Sequence, residues 1–421
     1  MSALLRARRR KLLVILGAGS SVSCGIPGSG AIGAEMKVWS TEWKKPPEFP
    51  NGVGRGAFND LWEVIEQYYS RDPHPHLGIP LNFESVLAEM TALASWVSPS
   101  PFGNALSGAL RDSAVSTQFT WPPAPPGSPY FFRHLILEQT GDLLAQLARY
   151  IRHHSRMLHE NNTNFQTYRK LLGVLATEFD LGIYSLNYDN LAIRALPDFF
   201  TGFREGKFDA RQVALRREWD FVYHLHGSVH YSLSHGSDRG MAWQTDLTTD
   251  FIDTGRAFPY MASNFNPILR TTLIAGGFKL DQILADPAQS FYAALIRHVH
   301  EADSILIAGY GFSDHHVNRA LQNRCDFAPS SFSGRPPVVV LTKTDAAIGR
   351  TGARRDFWAW ELTHALNTKF NISVPAQSFR QLIEDNHFEI DSHNRVAIWH
   401  AGFIELFSTR IGAVICRLSQ P

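Results

Sequence analysis

Cysteine is scarce in this chain. Cys24, Cys325 and Cys416 stand far apart, and no Cys-x-x-Cys pair occurs. A disulfide framework is not expected, and a reducing cytoplasm fits better. Long apolar runs are also missing: none approaches the roughly 18–20 residues that span a bilayer. Charge of one sign is lacking too. Forty Lys and Arg face 39 Asp and Glu, for a formal net charge of +1. That balance gives no global pull towards nucleic acid or membrane, although a local basic patch stays open. No internal repeat is apparent. His153-His154 and His315-His316 are adjacent pairs, so their side chains diverge on a helix and lack metal-ligand spacing. Surface or capping roles are expected for them, and no metal.

The N-terminus has the charge of a signal segment but not its apolar core. Arg6-Ala7-Arg8-Arg9-Arg10 precedes Leu12–Leu16, an apolar stretch of five residues. A signal h-region needs about 7–15. The segment reads as a basic approach to a strand. Its arginines could meet a partner or a phosphate backbone, or form a solvated flank.

The chain has 421 residues, 44% hydrophobic and 19% charged, enough to bury a large core and to fill two or three average domains. Strands are expected at Lys11–Leu16, Leu181–Leu186, Asp220–Leu225, Ser304–Ala308 and Pro337–Leu341. Helices are expected near Asn190, at Pro287–His300 and at His315–Arg324. This alternation predicts an α/β fold with a doubly wound parallel sheet. Residues 41–175 read as a mostly helical insertion. Phe58, Leu61, Trp62, Ile65 and Tyr69 share one helix face, Asn82-Phe83-Glu84 opens a helix, and Ile136–Ile151 and Phe165–Ala176 form others. Residues 98–130 are a Pro-, Gly- and Ser-rich excursion. The expected boundaries are 1–345 for the nucleotide-binding domain and 346–421 for a small C-terminal extension. A strand pair is expected in that extension, around Val396–His400 and Phe403–Phe407.

The most informative segment runs from Lys11 to Pro27. A buried strand meets the turn Gly17-Ala18-Gly19, and Pro27 offers a helix start. Such a device lets backbone N–H groups approach a diphosphate, with the helix dipole favouring its charge. Val22 stands where a third fingerprint glycine belongs, and no Gly-Lys-Ser/Thr follows, so this is not a nucleoside-triphosphate P-loop. An ordinary strand with a tight turn is the plain alternative. Asn187, Asp189, His226 and Gly309 also follow expected strands, so they can converge on one crevice with the turn. Asn187 and Asp189 suit helix capping as well as ligand binding. His226 suits proton abstraction near neutral pH, with Gly227 permitting close approach. A strand-end histidine bonded to backbone is the alternative, and His224 is read as structural.

Four segments in order resemble the sirtuin superfamily. They are Gly17-Ala18-Gly19-Ser20-Ser21 with Gly25-Ile26-Pro27, then Ser185-Leu186-Asn187-Tyr188-Asp189, His226-Gly227, and Ile307-Ala308-Gly309-Tyr310-Gly311-Phe312-Ser313-Asp314. The resemblance implies a Rossmann-like sirtuin core that binds NAD and breaks its nicotinamide–ribose bond without a metal. It implies cofactor contacts at Gly17, Ala18, Gly19, Ser21, Gly25, Ile26, Pro27, Gly309, Tyr310, Gly311 and Phe312. Asn187 would set the ribose or a water, Asp189 the loop and ribose geometry, and His226 would take a proton. Two departures matter. The four-cysteine zinc module of protein deacylases cannot be built here, and Gly28-Ser29-Gly30 replaces the usual Asp-Phe-Arg. Both resemble the zinc-less NAD hydrolases of bacterial anti-phage defence. That branch implies a protein partner such as a HerA-type ATPase or a short Argonaute, and homo-oligomerisation. A zinc-less deacylase or ADP-ribosyltransferase, and a silent NAD- or ADP-ribose-binding scaffold, are the competing readings.

Overall fold

The computed structural model describes residues 9–42, 62–63, 65–67, 82–96, 131–234, 240–257, 268–276, 279–326, 335–343, 360–368, 385 and 387–420. The Pro-rich excursion expected at 98–130 lies outside them. Strands in chain order are β1 (Lys11–Leu16), β2 (Asp180–Ser185), β3 (Phe203–Arg204), β4 (Lys207–Phe208), β5 (Asp220–His224), β6 (Tyr231–Leu233) and β7 (Met241–Trp243). There follow β8 (Thr254–Ala257), β9 (Ile268–Thr271), β10 (Ser304–Ala308), β11 (Val338–Leu341), β12 (Glu389–Ile390) and β13 (Val396–Trp399).

Seven of these form one sheet in the order β12-β13-β11-β10-β1-β2-β5. All neighbours are parallel except the β12–β13 pair. Parallel strands buried on both faces need unbroken apolar runs, and Leu12–Leu16 and Ile305–Ala308 supply them. Alternation then sorts each strand between two cores. Leu13, Ile15, Tyr184, Phe221 and Ile307 face the Ala288–Glu301 and His315–Asp326 helices. Leu12, Val14, Ile183, Val222 and Leu306 face the Thr163–Glu178 helix and two C-terminal helices. This is the doubly wound α/β arrangement that the sequence predicts.

The chain runs from β1 outwards to β2 and β5, then returns to β10 on the other side of β1. The strand order therefore reverses between β1 and β10. A crevice opens at such a switch point, outside the carboxyl ends of the strands.

Two parts of the sequence reading need correction. Phe403–Thr409 is a helix, not a strand. Phe403 and Leu406 are buried three residues apart, a helical spacing that a short apolar run does not distinguish from a strand. β13 instead pairs with β11 and β12, so residues beyond 345 extend the main sheet. The helix expected at Pro27 starts at Ser29, after two short 3-10 turns at Ala18–Ser20 and Val22–Cys24.

The described residues of the 41–175 segment are predominantly helical. The Ser29–Glu42, Phe83–Trp96 and Phe131–Met157 helices pack around Met36, Leu87, Met90, Leu144 and Leu147. Tyr188 and Leu273 belong to the same cluster, so this third core reaches the crevice. Arg9 and Arg10 are engaged within the chain. Arg9 donates to the carbonyls of Ala176 and Phe179, and Arg10 to those of Asp303 and Ser419.

Candidate active site

A cavity of about 360 Å³ occupies the switch point. Gly17, Ala18, Gly19, Ser21, Ile26 and Pro27 line it from the loop after β1. Asn187 and Asp189 line it after β2, His226 after β5, and Gly309, Tyr310 and Gly311 after β10. The four segments singled out in the sequence thus meet in one place. Two of the expected cofactor residues stand behind the lining. Gly25 ends the Val22–Cys24 turn in the left-handed region, with φ 94°. Phe312 is fully buried, and its ring centroid lies 4.8 Å from that of Tyr310.

The loops after β1 and β10 are zipped together by their backbones. Gly17 N–H donates to Ala308 O at 2.9 Å and Gly19 N–H to Gly309 O at 3.0 Å. A Cβ on Gly17 would lie 2.5 Å from Gly309 O, and one on Gly19 2.9 Å from Gly309 Cα. Gly309 itself has φ 64°, and its Cβ would lie 2.2 Å from Ser20 N. These glycines are required because two main chains touch. The sequence reading sends the Gly17 and Gly19 N–H groups towards a diphosphate, whereas protein carbonyls hold both. Gly227 carries the same lesson. Its φ is 92° and its Cβ would lie 2.1 Å from Thr272 O, so it packs the His226 loop against the segment after β9.

Asn187 sits at the centre of the zipped wall. Its Nδ2 lies 3.0 Å from Gly17 O, 3.2 Å from Ser20 Oγ and 2.9 Å from Ser21 Oγ. Three acceptors around one amide nitrogen fix the orientation of the side chain. The Oδ1 atom is buried and has no partner among the described residues. His224 Nδ1 contacts Asn187 O at 2.9 Å. Burial pushes the His224 imidazole down to about 4, so the ring is neutral and supports the Asn187 main chain. Asp189 forms an Asx turn at the entry to the Leu191–Ala195 helix: Leu191 N–H donates to its Oδ1 at 3.0 Å. Burial raises the Asp189 carboxyl above its ordinary range, against the pull of that amide.

The opposite wall is charged. His226 Nε2 lies 2.6 Å from Asp314 Oδ2, with both side chains buried. Asp314 Oδ1 accepts the N–H groups of His316 and Val317 at 2.9 and 3.2 Å, capping the His315–Asp326 helix. Burial opposes ionisation of Asp314. The His226 hydrogen bond, Lys279 and the helix amide outweigh it and hold the carboxyl well below its usual range. An ionised Asp314 takes the hydrogen on Nε2, which leaves Nδ1 of a neutral His226 as the basic atom. Lys279 Nζ lies 3.8 Å from Asp314 Oδ2 and 3.0 Å from Glu84 Oε2.

Asp314, Lys279 and Glu84 are the residues that sequence reasoning missed. Asp314 closes the fourth motif, and an Asp just before a helix is a capping signal. Nothing local connects it to a histidine 88 residues away. Glu84 and Lys279 are 195 residues apart, and no sequence spacing joins them.

A second cavity of about 360 Å³ lies beyond the 224–227 segment, lined by His224, Arg270, Thr271, Gln282, Asp286 and mostly apolar neighbours. It shares no lining residue with the first. Among the described residues, no three His, Cys, Asp or Glu side chains group to hold a metal ion. Among them too, no helix is long and apolar enough to cross a membrane.

Residues 182–364 match the family model described as a SIR2-like domain. The matched stretch holds Asn187, His226 and Gly309 but covers less than half of the chain and begins after the Gly17 loop. No curated protein matches. Among solved structures, a mutant Sir2 homologue in complex with ADP-ribose is 14% identical, with 86% of this chain and 96% of that one covered, at a TM-score of 0.29. A structure described as a basis for the mechanism and regulation of Sir2 enzymes is 10% identical, with 85% and 94% covered, at a TM-score of 0.29.

Proposed function

We propose that this chain hydrolyses NAD to nicotinamide and ADP-ribose, as the effector of an anti-phage defence system. The observation that carries the reading is the pairing of Asn187 and His226 across one cavity. One offers a fixed, unpartnered amide oxygen; the other offers a carboxylate-anchored imidazole. Asn187 Oδ1 accepts a hydrogen bond from a ribose hydroxyl or from the attacking water. The bond from the ribose anomeric carbon to the nicotinamide nitrogen breaks, and its electron pair leaves with nicotinamide. Water oxygen bonds to that carbon, and its proton passes to His226 and then to solvent. The chemistry calls for geometry, charge placement and a base. The first turn of the Ser29–Glu42 helix lines the cavity at Ser29 and Ile32. It supplies the positive dipole end for a diphosphate in place of the committed glycine N–H groups.

An unrestrained NAD hydrolase is toxic, so control by a partner such as a HerA-type ATPase or a short Argonaute, or by self-assembly, belongs to the same proposal. The test is to purify the chain alone and with the products of neighbouring genes, and to follow NAD by chromatography. Free nicotinamide and ADP-ribose in equal amounts are expected. Intact NAD in every combination, with acyl removal from a peptide or ADP-ribosyl transfer to protein, overturns the reading.

A further inference from the structure

Lys279 and Glu84 belong to none of the four motifs, yet both line the candidate cavity. They come from separate elements: Glu84 from the first turn of the Phe83–Trp96 helix, Lys279 from the start of the short Lys279–Ile283 helix. The segment that precedes Lys279 packs against the Phe83–Trp96 helix, because a Cβ on Gly276 would lie 2.5 Å from Leu87 Cβ. Lys279 has two carboxylates in reach. Glu84 Oε2 is at 3.0 Å, and the Asp314 oxygen that holds His226 is at 3.8 Å. The ammonium side chain is only 19% exposed, so water screens it weakly.

We propose that Lys279 is a positioning residue that sets the proton affinity of the His226–Asp314 pair, and that Glu84 of the helical insertion moderates it. The inference rests on His226 acting as the base in the reaction above. A positive charge beside Asp314 competes with a proton on His226 for the same carboxylate. It therefore favours neutral imidazole, the form that accepts a proton. Glu84 draws that charge towards the insertion and weakens the competition. The sign of each effect follows from Coulomb's law. Removing Lys279 strengthens proton binding by the pair, and removing Glu84 weakens it.

The other groups facing the pair do not supply this charge. Tyr188 after β2, Tyr292 on the Ala288–Glu301 helix and Tyr310 after β10 all lie close to Asp314. Burial raises each phenol above its ordinary range, so all three are neutral throughout the working pH. Tyr310 Oη is bonded to Asp314 O and Asn318 Oδ1, at 3.0 and 2.8 Å. Glu361 stands one residue further off, behind Asn318 at 3.2 Å. Lys279 is the cation paired with Asp314 among the described residues.

Because Glu84 belongs to the insertion, the insertion reaches the reacting base by charge. A partner that shifts the Phe83–Trp96 helix alters how much of Lys279 the pair feels. This gives a route for control without any group entering the cavity.

The experiment uses the full chain and two readouts. The pH profile of NAD cleavage is measured for wild type, Lys279→Met, Lys279→Arg and Glu84→Gln. The pH titration of the His226 ring signal is followed in the same proteins by histidine-selective NMR. In Lys279→Met the acid-side midpoint should move up by about one pH unit. In Glu84→Gln it should move down by about half a unit. Lys279→Arg should restore the wild-type profile. Midpoints that stay in place, or move in the same direction in Met and Gln variants, overturn the inference. The ring titration needs no turnover. If wild type leaves NAD intact, the hydrolase reading fails while the charge relation is still decided.

Discussion

The two walls of the cavity are built on different physics. The Asn187 wall is geometric. Main chains touch at Gly17, Gly19 and Gly309, and neutral hydrogen bonds hold one amide in one orientation. The His226 wall is electrostatic, with Asp314, Lys279 and Glu84 in a row behind the imidazole. The first cannot accept an added atom. The second accepts isosteric changes but responds to charge and pH. Substitutions that separate these behaviours test the division.

The largest effect is expected at the reacting side chains. Asn187→Ala and His226→Ala should each lower NAD cleavage by about 10³-fold or more, since base and positioning groups act as a unit. The folded state should survive both changes. Asn187→Ala forfeits neutral hydrogen bonds worth about 1–2 kcal/mol. Activity and melting curves on the same preparations decide the matter, and wild-type turnover in either folded variant removes that residue from the mechanism.

Next comes the geometric wall. Gly309→Ala places a Cβ 2.2 Å from Ser20 N, in a backbone region with φ 64°. Strain and overpacking together should destabilise the protein by about 3 kcal/mol or more. Denaturant unfolding reads this directly. A variant as stable as wild type would mean that the two loops separate at little cost.

How much of this was legible in the sequence differs between the same two walls. The strands stood out because parallel strands buried on both faces are continuous apolar runs, as in Leu12–Leu16. The residues at their carboxyl ends could then be placed at one crevice by topology alone, which recovers Asn187 and His226. The Thr163–Glu178 helix began earlier than the apolar pattern shows, because Asn162 caps it and accepts the Phe165 N–H. The glycines have a second reason that motif spacing does not record: Gly17 and Gly19 line the cavity, yet a Cβ there, as at Gly227, would also meet protein backbone. Of the charged wall only His226 was legible; its contacts with Asp314, Lys279 and Glu84 were not. It is assembled by tertiary packing of helices 195 residues apart in sequence, and no local pattern records such a contact.

The charged wall is tested by Asp314→Asn. Asparagine still caps the His315–Asp326 helix, so the change removes charge while keeping the cap. Cleavage should fall by about 100-fold, because the imidazole loses its carboxylate anchor. Stability should fall by about 1–3 kcal/mol near neutral pH, the value of a hydrogen bond to a charged group. The folded-state carboxyl is held below its unfolded value. Its contribution is therefore fully present above the ordinary carboxylate range near pH 4 and fades as pH falls below it. The stability gap between wild type and Asp314→Asn should narrow in acid. A gap that is constant from pH 7 to pH 3 would mean that Asp314 acts through packing and not through charge.

The smallest effect, and the one that sharpens the comparison most, is expected at Gly311. It lines the cavity beside Gly309, yet an added Cβ there would meet nothing within 4 Å. Gly309 and Gly311 are thus two glycines of one motif with opposite reasons for being glycine. At Gly309 the neighbour is protein; at Gly311, an exposed lining residue, an added Cβ meets open space. Gly311→Ala should change unfolding free energy by no more than about 0.5 kcal/mol. The same methyl takes volume from the ligand, and should weaken NAD binding by about three- to tenfold. Calorimetric affinity beside denaturant unfolding, for Gly309→Ala and Gly311→Ala together, separates the two reasons. Stability lost at Gly311, or NAD affinity unchanged there, would mean that the glycine-rich end of β10 serves only loop packing. The cavity would then have to seat its ligand entirely against the first turn of the Ser29–Glu42 helix and the charged wall.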